Sequence, residues 1–205
     1  MQRQLFEKAF RNDGRLIQAV NCGYLKTVVQ ELSTGDIDLS LTFNGKSFLR
    51  IAGERGHKEI ARQLILHGAN PNEVNGKRKH SLLHTAAFSG NFGFASVLLS
   101  EGANPSPRNS HDAAPLHFAA RFGYEYLVRK LIEYKADVVV RDSLGRTPIQ
   151  VALQKGHSQI ARLLSNVAAK GHLNGIEIDQ QVAEQNELLL NAKLPNAVLP
   201  ISRQK

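Results

Sequence analysis

Apolar residues recur along the chain at intervals of three and four. They do so in blocks only two or three helical turns long. Ile60, Leu64 and Ile65 share one helical face, as do Leu127, Val128, Leu131 and Ile132, and then Ile160, Leu163, Leu164 and Val167. Each of these blocks follows a shorter apolar block that ends at a glycine. The pattern therefore predicts pairs of short helices. Polar runs such as residues 73–80 separate the pairs and predict extended hairpins. Thr147-Pro148 marks a helix start, because threonine suits the N-cap and proline the first helical position. Gly68 and Gly102 are placed to supply the left-handed residue beyond the second helix.

The pairs repeat. Gly23, Gly56, Gly90, Gly123 and Gly156 are separated by 33, 34, 33 and 33 residues. Around them one phrase recurs, as Ser81-Leu82-Leu83-His84-Thr85-Ala86-Ala87, Ala114-Pro115-Leu116-His117-Phe118-Ala119-Ala120 and Thr147-Pro148-Ile149. It closes on Gly68-Ala69-Asn70, Gly102-Ala103-Asn104 and Ala136-Asp137. The one extra residue falls in the polar stretch 73–80, where a loop absorbs it.

This period and phrase resemble the ankyrin repeat over roughly residues 10–165. The resemblance implies an all-α solenoid of stacked helix-turn-helix units with short hairpin loops. Hairpin tips and first helices would line a concave groove that binds protein without catalysis. The expected organisation is an N-terminal helical extension at 1–13 and a repeat domain at 14–170. Its units fall at about 14–41, 42–75, 76–108, 109–141 and 142–170. A C-terminal capping helix and mobile tail would occupy 171–205, with Gly171 closing the last repeat helix and Asp179 capping a helix over 180–192. Lys135 stands where other units have glycine, which costs about 1 kcal/mol if the position stays left-handed. The phrase histidines His84 and His117 are expected to bridge neighbouring hairpins, and His57 and His157 to serve as framework. Phe118 falls in a slot expected to be core.

Composition narrows the function. Of 205 residues, 42% are hydrophobic and 21% charged, enough for a buried core. No apolar run approaches the ~18–20 residues that span a bilayer. The start, from Met1 to Lys8, lacks the apolar region of a secretory signal. Cys22 is the sole cysteine, which suits a reducing, cytoplasmic setting. The net charge of +8 lies in residues 1–164, since residues 165–205 hold four basic and four acidic residues. An excess of this kind favours acidic partners. No His-Glu-x-x-His, paired Cys-x-x-Cys or phosphate-binding loop is present, so neither enzyme activity nor a cofactor or metal is expected.

Partner-binding residues are expected where the first helix of each unit ends, just before the repeat glycine. These positions hold Asn21-Cys22, Glu54-Arg55, Phe88-Ser89, Arg121-Phe122 and Gln154-Lys155. Phe88, Phe122, Arg55 and Arg121 form an aromatic–arginine set of the kind enriched in binding hot spots, with Ser89 and Lys155 beside it. The hairpin tips add Lys46, then Lys77, Arg78 and Lys79, then His111, then Leu144 and Arg146. A basic edge of this kind steers an acidic or mixed acidic–apolar protein face. The leading reading is a non-enzymatic adaptor or scaffold with one protein partner. Two alternatives stay open. One is a bacterial effector delivered into host cytosol by a route without a signal peptide, for which 176–205 is the candidate signal. The other is a binder of an anionic surface or nucleic acid through the basic tips. A nuclear location is compatible with each.

Overall fold

A computed structural model of the chain describes residues 14–35 and 37–173. The expected N-terminal extension, and the capping helix and tail beyond residue 173, lie outside the described residues.

Ten helices occur among the described residues. They are α1 (14–22), α2 (Leu25–Ser33), α3 (Phe48–Arg55), α4 (Lys58–Leu66), α5 (Leu82–Ser89), α6 (Phe92–Ser100), α7 (Pro115–Phe122), α8 (Glu125–Glu133), α9 (Pro148–Gln154) and α10 (Ser158–Leu173). Two antiparallel hairpins join them, β1 (Thr42–Phe43) with β2 (Lys46–Ser47) and β3 (Val74–Asn75) with β4 (His80–Ser81). The two later tips close by turns, through Asn109 N–H to the Ala113 carbonyl at 3.1 Å and Asp142 N–H to the Arg146 carbonyl at 3.0 Å.

Apart from α10, each helix has nine residues or fewer and is too short to persist alone. Stability comes from stacking. α3, α5, α7 and α9 pack in sequence as an inner layer, and α2, α4, α6 and α8 as an outer one. Leu49, Leu83, Leu116 and Ile149 occupy the same place in successive inner helices, and all are buried. Ile60, Phe94, Leu127 and Ile160 do the same in the outer helices. A single apolar core therefore runs the length of the stack, as expected where each repeat buries its face only on its neighbours.

The helix starts follow the phrase. Ser47, Ser81 and Thr147 are N-caps whose side chains accept from Arg50, His84 and Gln150 N–H. The repeat glycines have positive φ, and some are also needed as space. A Cβ on Gly90 would lie 2.7 Å from the Tyr124 ring, and one on Gly123 would lie 2.7 Å from His157. Lys135 does adopt the left-handed conformation, at φ 63°.

One helix end differs from expectation. α10 runs through Gly171 to Leu173 rather than stopping at the glycine. A glycine inside a helix costs only about 1 kcal/mol. The anchored stripe of Ile160, Leu164 and Ala168 outweighs that.

Candidate functional site

The hairpins and the inner-helix ends form one face. All ten residues at the two positions before each repeat glycine, from Asn21-Cys22 to Gln154-Lys155, are exposed. They project there because the apolar stripes turn the rest of each inner helix into the core.

Polar links fix the hairpins in register. His84 Nδ1 accepts from Ser81 N–H at 3.2 Å, so the proton sits on Nε2 and is donated to the Ala113 carbonyl of the next tip at 2.8 Å. His117 repeats this, accepting from Ala114 N–H at 3.1 Å and donating to the Arg146 carbonyl at 2.9 Å. Burial pushes the His84 pKa down to about 4 and lowers that of His117 as well. These two histidines are neutral braces between repeats. His57 and His157 lie across the preceding glycines, with Nε2 3.4 and 3.2 Å from the Asn21 and Arg121 carbonyl oxygens.

In the second unit Arg50 replaces the histidine. Arg50 is 4% exposed, and its guanidinium pairs with Glu73 at 3.3 Å and donates to Thr85 Oγ1 at 2.9 Å and the His80 carbonyl at 3.4 Å. The brace from His84 or His117 spans 29 residues, and that from Arg50 spans 30. The Arg50 guanidinium thus reaches the residue before the next N-cap, His80, as His84 and His117 reach Ala113 and Arg146.

The aromatic residues converge on α5 and α7. Phe88 is 58% exposed and stands edge-on to Phe122, with centroids 5.3 Å apart at 84°. Arg121 lies over the Phe122 ring at 5.9 Å. Phe118, expected in the core, is only half-buried. It meets Phe88 at 6.4 Å, His84 at 5.8 Å and His80 at 5.7 Å. The equivalent positions hold Ile51, Thr85 and Val151; the larger Phe118 ring packs against the core and also reaches the face. His80 stacks on His84 at 5.5 Å. Its pKa is lowered by burial and by the nearby charges of Arg78, Arg50 and His111.

The basic residues do not act alike. Lys46 donates to Glu54 at 2.6 Å. Arg146 grips Asp142 through Nε at 3.0 Å and a terminal nitrogen at 2.7 Å, and reaches Gln154 at 3.3 Å. Both therefore tie a tip to the end of its own inner helix. The corresponding pairs in the two middle units are His80 with Phe88 and Ala113 with Arg121. No polar tie forms there, and the aromatic–arginine cluster occupies the place. Among the described residues, no carboxylate pairs with Arg55, Arg121 or Lys155, nor with Lys77, Arg78 or Lys79 in the β3–β4 turn. Ser89 donates to the Thr85 carbonyl at 3.0 Å beside the cluster. His111 and Leu144, the latter 72% exposed, sit on the last two tips. The structure places Phe88, Phe122 and Arg121, expected from the sequence, beside His80 of the β3–β4 tip, and adds Phe118 to them. For Phe118 a signal existed, an aromatic residue in a slot that otherwise holds smaller side chains.

No helix among the described residues is long and apolar enough to cross a membrane. A family profile described as "Ankyrin repeats (3 copies)" matches residues 16–109 and again 83–181. The chain is 38% identical to a cyclin-dependent kinase 4 inhibitor B of Rattus norvegicus, over 57% of this chain and 88% of that protein. It is 34% identical to a cyclin-dependent kinase inhibitor 2A of Monodelphis domestica, over 62% and 72%. It is 28% identical to an ankyrin repeat protein of Fowlpox virus, over 76% of this chain but about a third (36%) of the viral protein.

Proposed function

The chain belongs to the ankyrin-repeat family, and we propose that it is a non-enzymatic adaptor that holds one partner protein on the face of its hairpins and inner-helix ends. That the fold is a protein–protein interaction module follows from the family; the surface and the manner of binding are this proposal. The observation that carries it is the exposed Phe88–Phe122 pair under Arg121, at the two middle repeats where the hairpin-to-helix ties are missing. Covering one such ring is worth roughly 1.5–3 kcal/mol. The cations of the β3–β4 turn would orient an acidic partner and speed its approach.

The names of two relatives make a cyclin-dependent kinase the first partner class to try. The test is affinity capture from cytosolic extract at low and moderate salt, wild type against Phe88→Ala/Arg121→Ala/Phe122→Ala. A protein held by wild type at both salts and lost by the variant supports the adaptor. Capture that survives the substitutions and vanishes with salt replaces it with binding of an anionic surface through the tips.

A further inference from the structure

The row of inner-helix ends carries a charge pattern that specifies what lies along it. In repeat order the two exposed positions read Asn21-Cys22, Glu54-Arg55, Phe88-Ser89, Arg121-Phe122 and Gln154-Lys155, and the last four pairs, on α3 to α9, form the charged row. Glu54 is neutralised by Lys46, and Gln154 is engaged by Arg146. What the row offers a partner is a cation at each end, an aromatic pair in the middle and one further cation, Arg121, against that pair. The cations are unpaired by carboxylate among the described residues, and no unpaired carboxylate faces them from this row. The complement is one apolar side chain flanked by acidic groups.

We propose that the occupant is an extended acidic segment of another protein, laid across the repeats. It is about nine residues long, with one apolar residue on Phe88 and Phe122, a carboxylate beside it on Arg121, and a carboxylate near each end for Arg55 and Lys155. The proposal rests on the binding face proposed above and names what that face takes. Its length comes from the stack. Neighbouring packed helices are about 8–10 Å apart, so three steps from α3 to α9 span roughly 24–30 Å, which is eight or nine residues of extended chain at about 3.3 Å each. The Lys46–Glu54 and Arg146–Gln154 ties bring the hairpin down onto the helix end at both ends of the row. An extended chain fits such a row better than a helix of about 10–12 Å diameter.

The test measures binding of the full chain to a synthetic nine-residue peptide with a central Leu-Glu and a glutamate at each end, by fluorescence anisotropy. Glutamine at the three acidic positions, or glycine for the leucine, is expected to weaken binding at least tenfold. Arg121→Gln in the protein should weaken it about tenfold, and Arg55→Gln or Lys155→Gln about threefold each. Arg162→Gln, on the outer helix α10, should leave it unchanged. The proposal is overturned if Arg162→Gln weakens binding as much as Arg121→Gln, or if a scrambled peptide binds equally well. It is overturned also if an 18-residue amphipathic helical peptide of the same side chains binds tighter. Residues 174–192 hold Glu177, Asp179, Glu184 and Glu187 and no lysine or arginine. If glutamine at those four positions tightens peptide binding tenfold, the occupant is this chain's own segment, and a partner's segment is excluded. Failure here combined with a Phe88/Phe122-dependent captured protein would remove the extended acidic segment and leave the adaptor standing. Loss of both would remove the face itself.

Discussion

His84 Nε2 lies 2.8 Å from the Ala113 carbonyl oxygen, so the imidazole of one repeat holds the hairpin of the next. Nδ1 of the same ring accepts from Ser81 N–H, and that second bond requires the neutral ring with its proton on Nε2. Burial enforces that state by holding the pKa near 4.

The folded-state pKa of this base is below the ordinary unfolded value of 6.5. Its contribution is complete above pH 6.5 and is lost as pH falls from 6.5 toward 4, because the unfolded chain takes up the proton first. The loss is about 1 kcal/mol by pH 5.5 and roughly 3 kcal/mol across the whole window. His117 adds a loss of the same sign. Asp142, whose pKa lies below the usual 3.8 because hydrogen bonds and charge from Arg146 outweigh its burial, loses its contribution only at lower pH. Denaturant midpoints at pH 7.5 and 5.5 should therefore fall for wild type and fall less for His84→Gln. Gln150 already fills this capping place in the last repeat, accepting from Thr147 N–H at 2.9 Å.

Arg50→Ala should destabilise by about 2–4 kcal/mol, since it strands Glu73 and removes the brace to Thr85 and His80. Arg50→His should recover only part of this, because one imidazole cannot make the three bonds that the guanidinium makes to Glu73, Thr85 and His80. Urea unfolding of the two variants checks the order.

Two left-handed glycines separate strain from space. Gly56 and Gly90 are both left-handed, at 79° and 68°, but a Cβ meets nothing within 4 Å at Gly56 and meets Tyr124 at 2.7 Å at Gly90. Gly56→Ala should cost about 1–2 kcal/mol, and Gly90→Ala clearly more. Lys135→Gly should move the other way and stabilise by about 0.5–1 kcal/mol. Thermal melts of the three variants test these signs.

Leu116 is fully buried in the first turn of α7. Leu116→Ala should cost about 2–5 kcal/mol as a cavity, and a loss below about 1 kcal/mol would contradict the repeat register.

The period of the glycines and the capping phrase carried the helix pairs, because each unit spells its own start, stop and apolar stripe. The braces at His84 and His117 were expected from the resemblance to the ankyrin repeat, not from the pattern of the residues. The fate of the cations was not. Lys46 and Arg146 read as free tip charges, yet each meets a partner eight residues away, Glu54 or Gln154, that only the folded unit brings near. Arg50 was invisible because its partners lie up to 35 residues on, in the next repeat. Phe118 packs against the core as its slot implies, but its edge contact is with Phe88 of the preceding repeat and could not be read from the phrase.

The central claim is that a partner lies across the ends of the inner helices. The most direct measurement places a photo-crosslinking amino acid at Ser89, beside the Phe88–Phe122 pair, and in a second protein at Tyr126, which is 82% exposed on the outer helix α8. After irradiation in cytosolic extract, a discrete adduct from Ser89 and none from Tyr126 is the predicted result. An adduct from Tyr126 with none from Ser89 would contradict the account and move the partner to the outer layer.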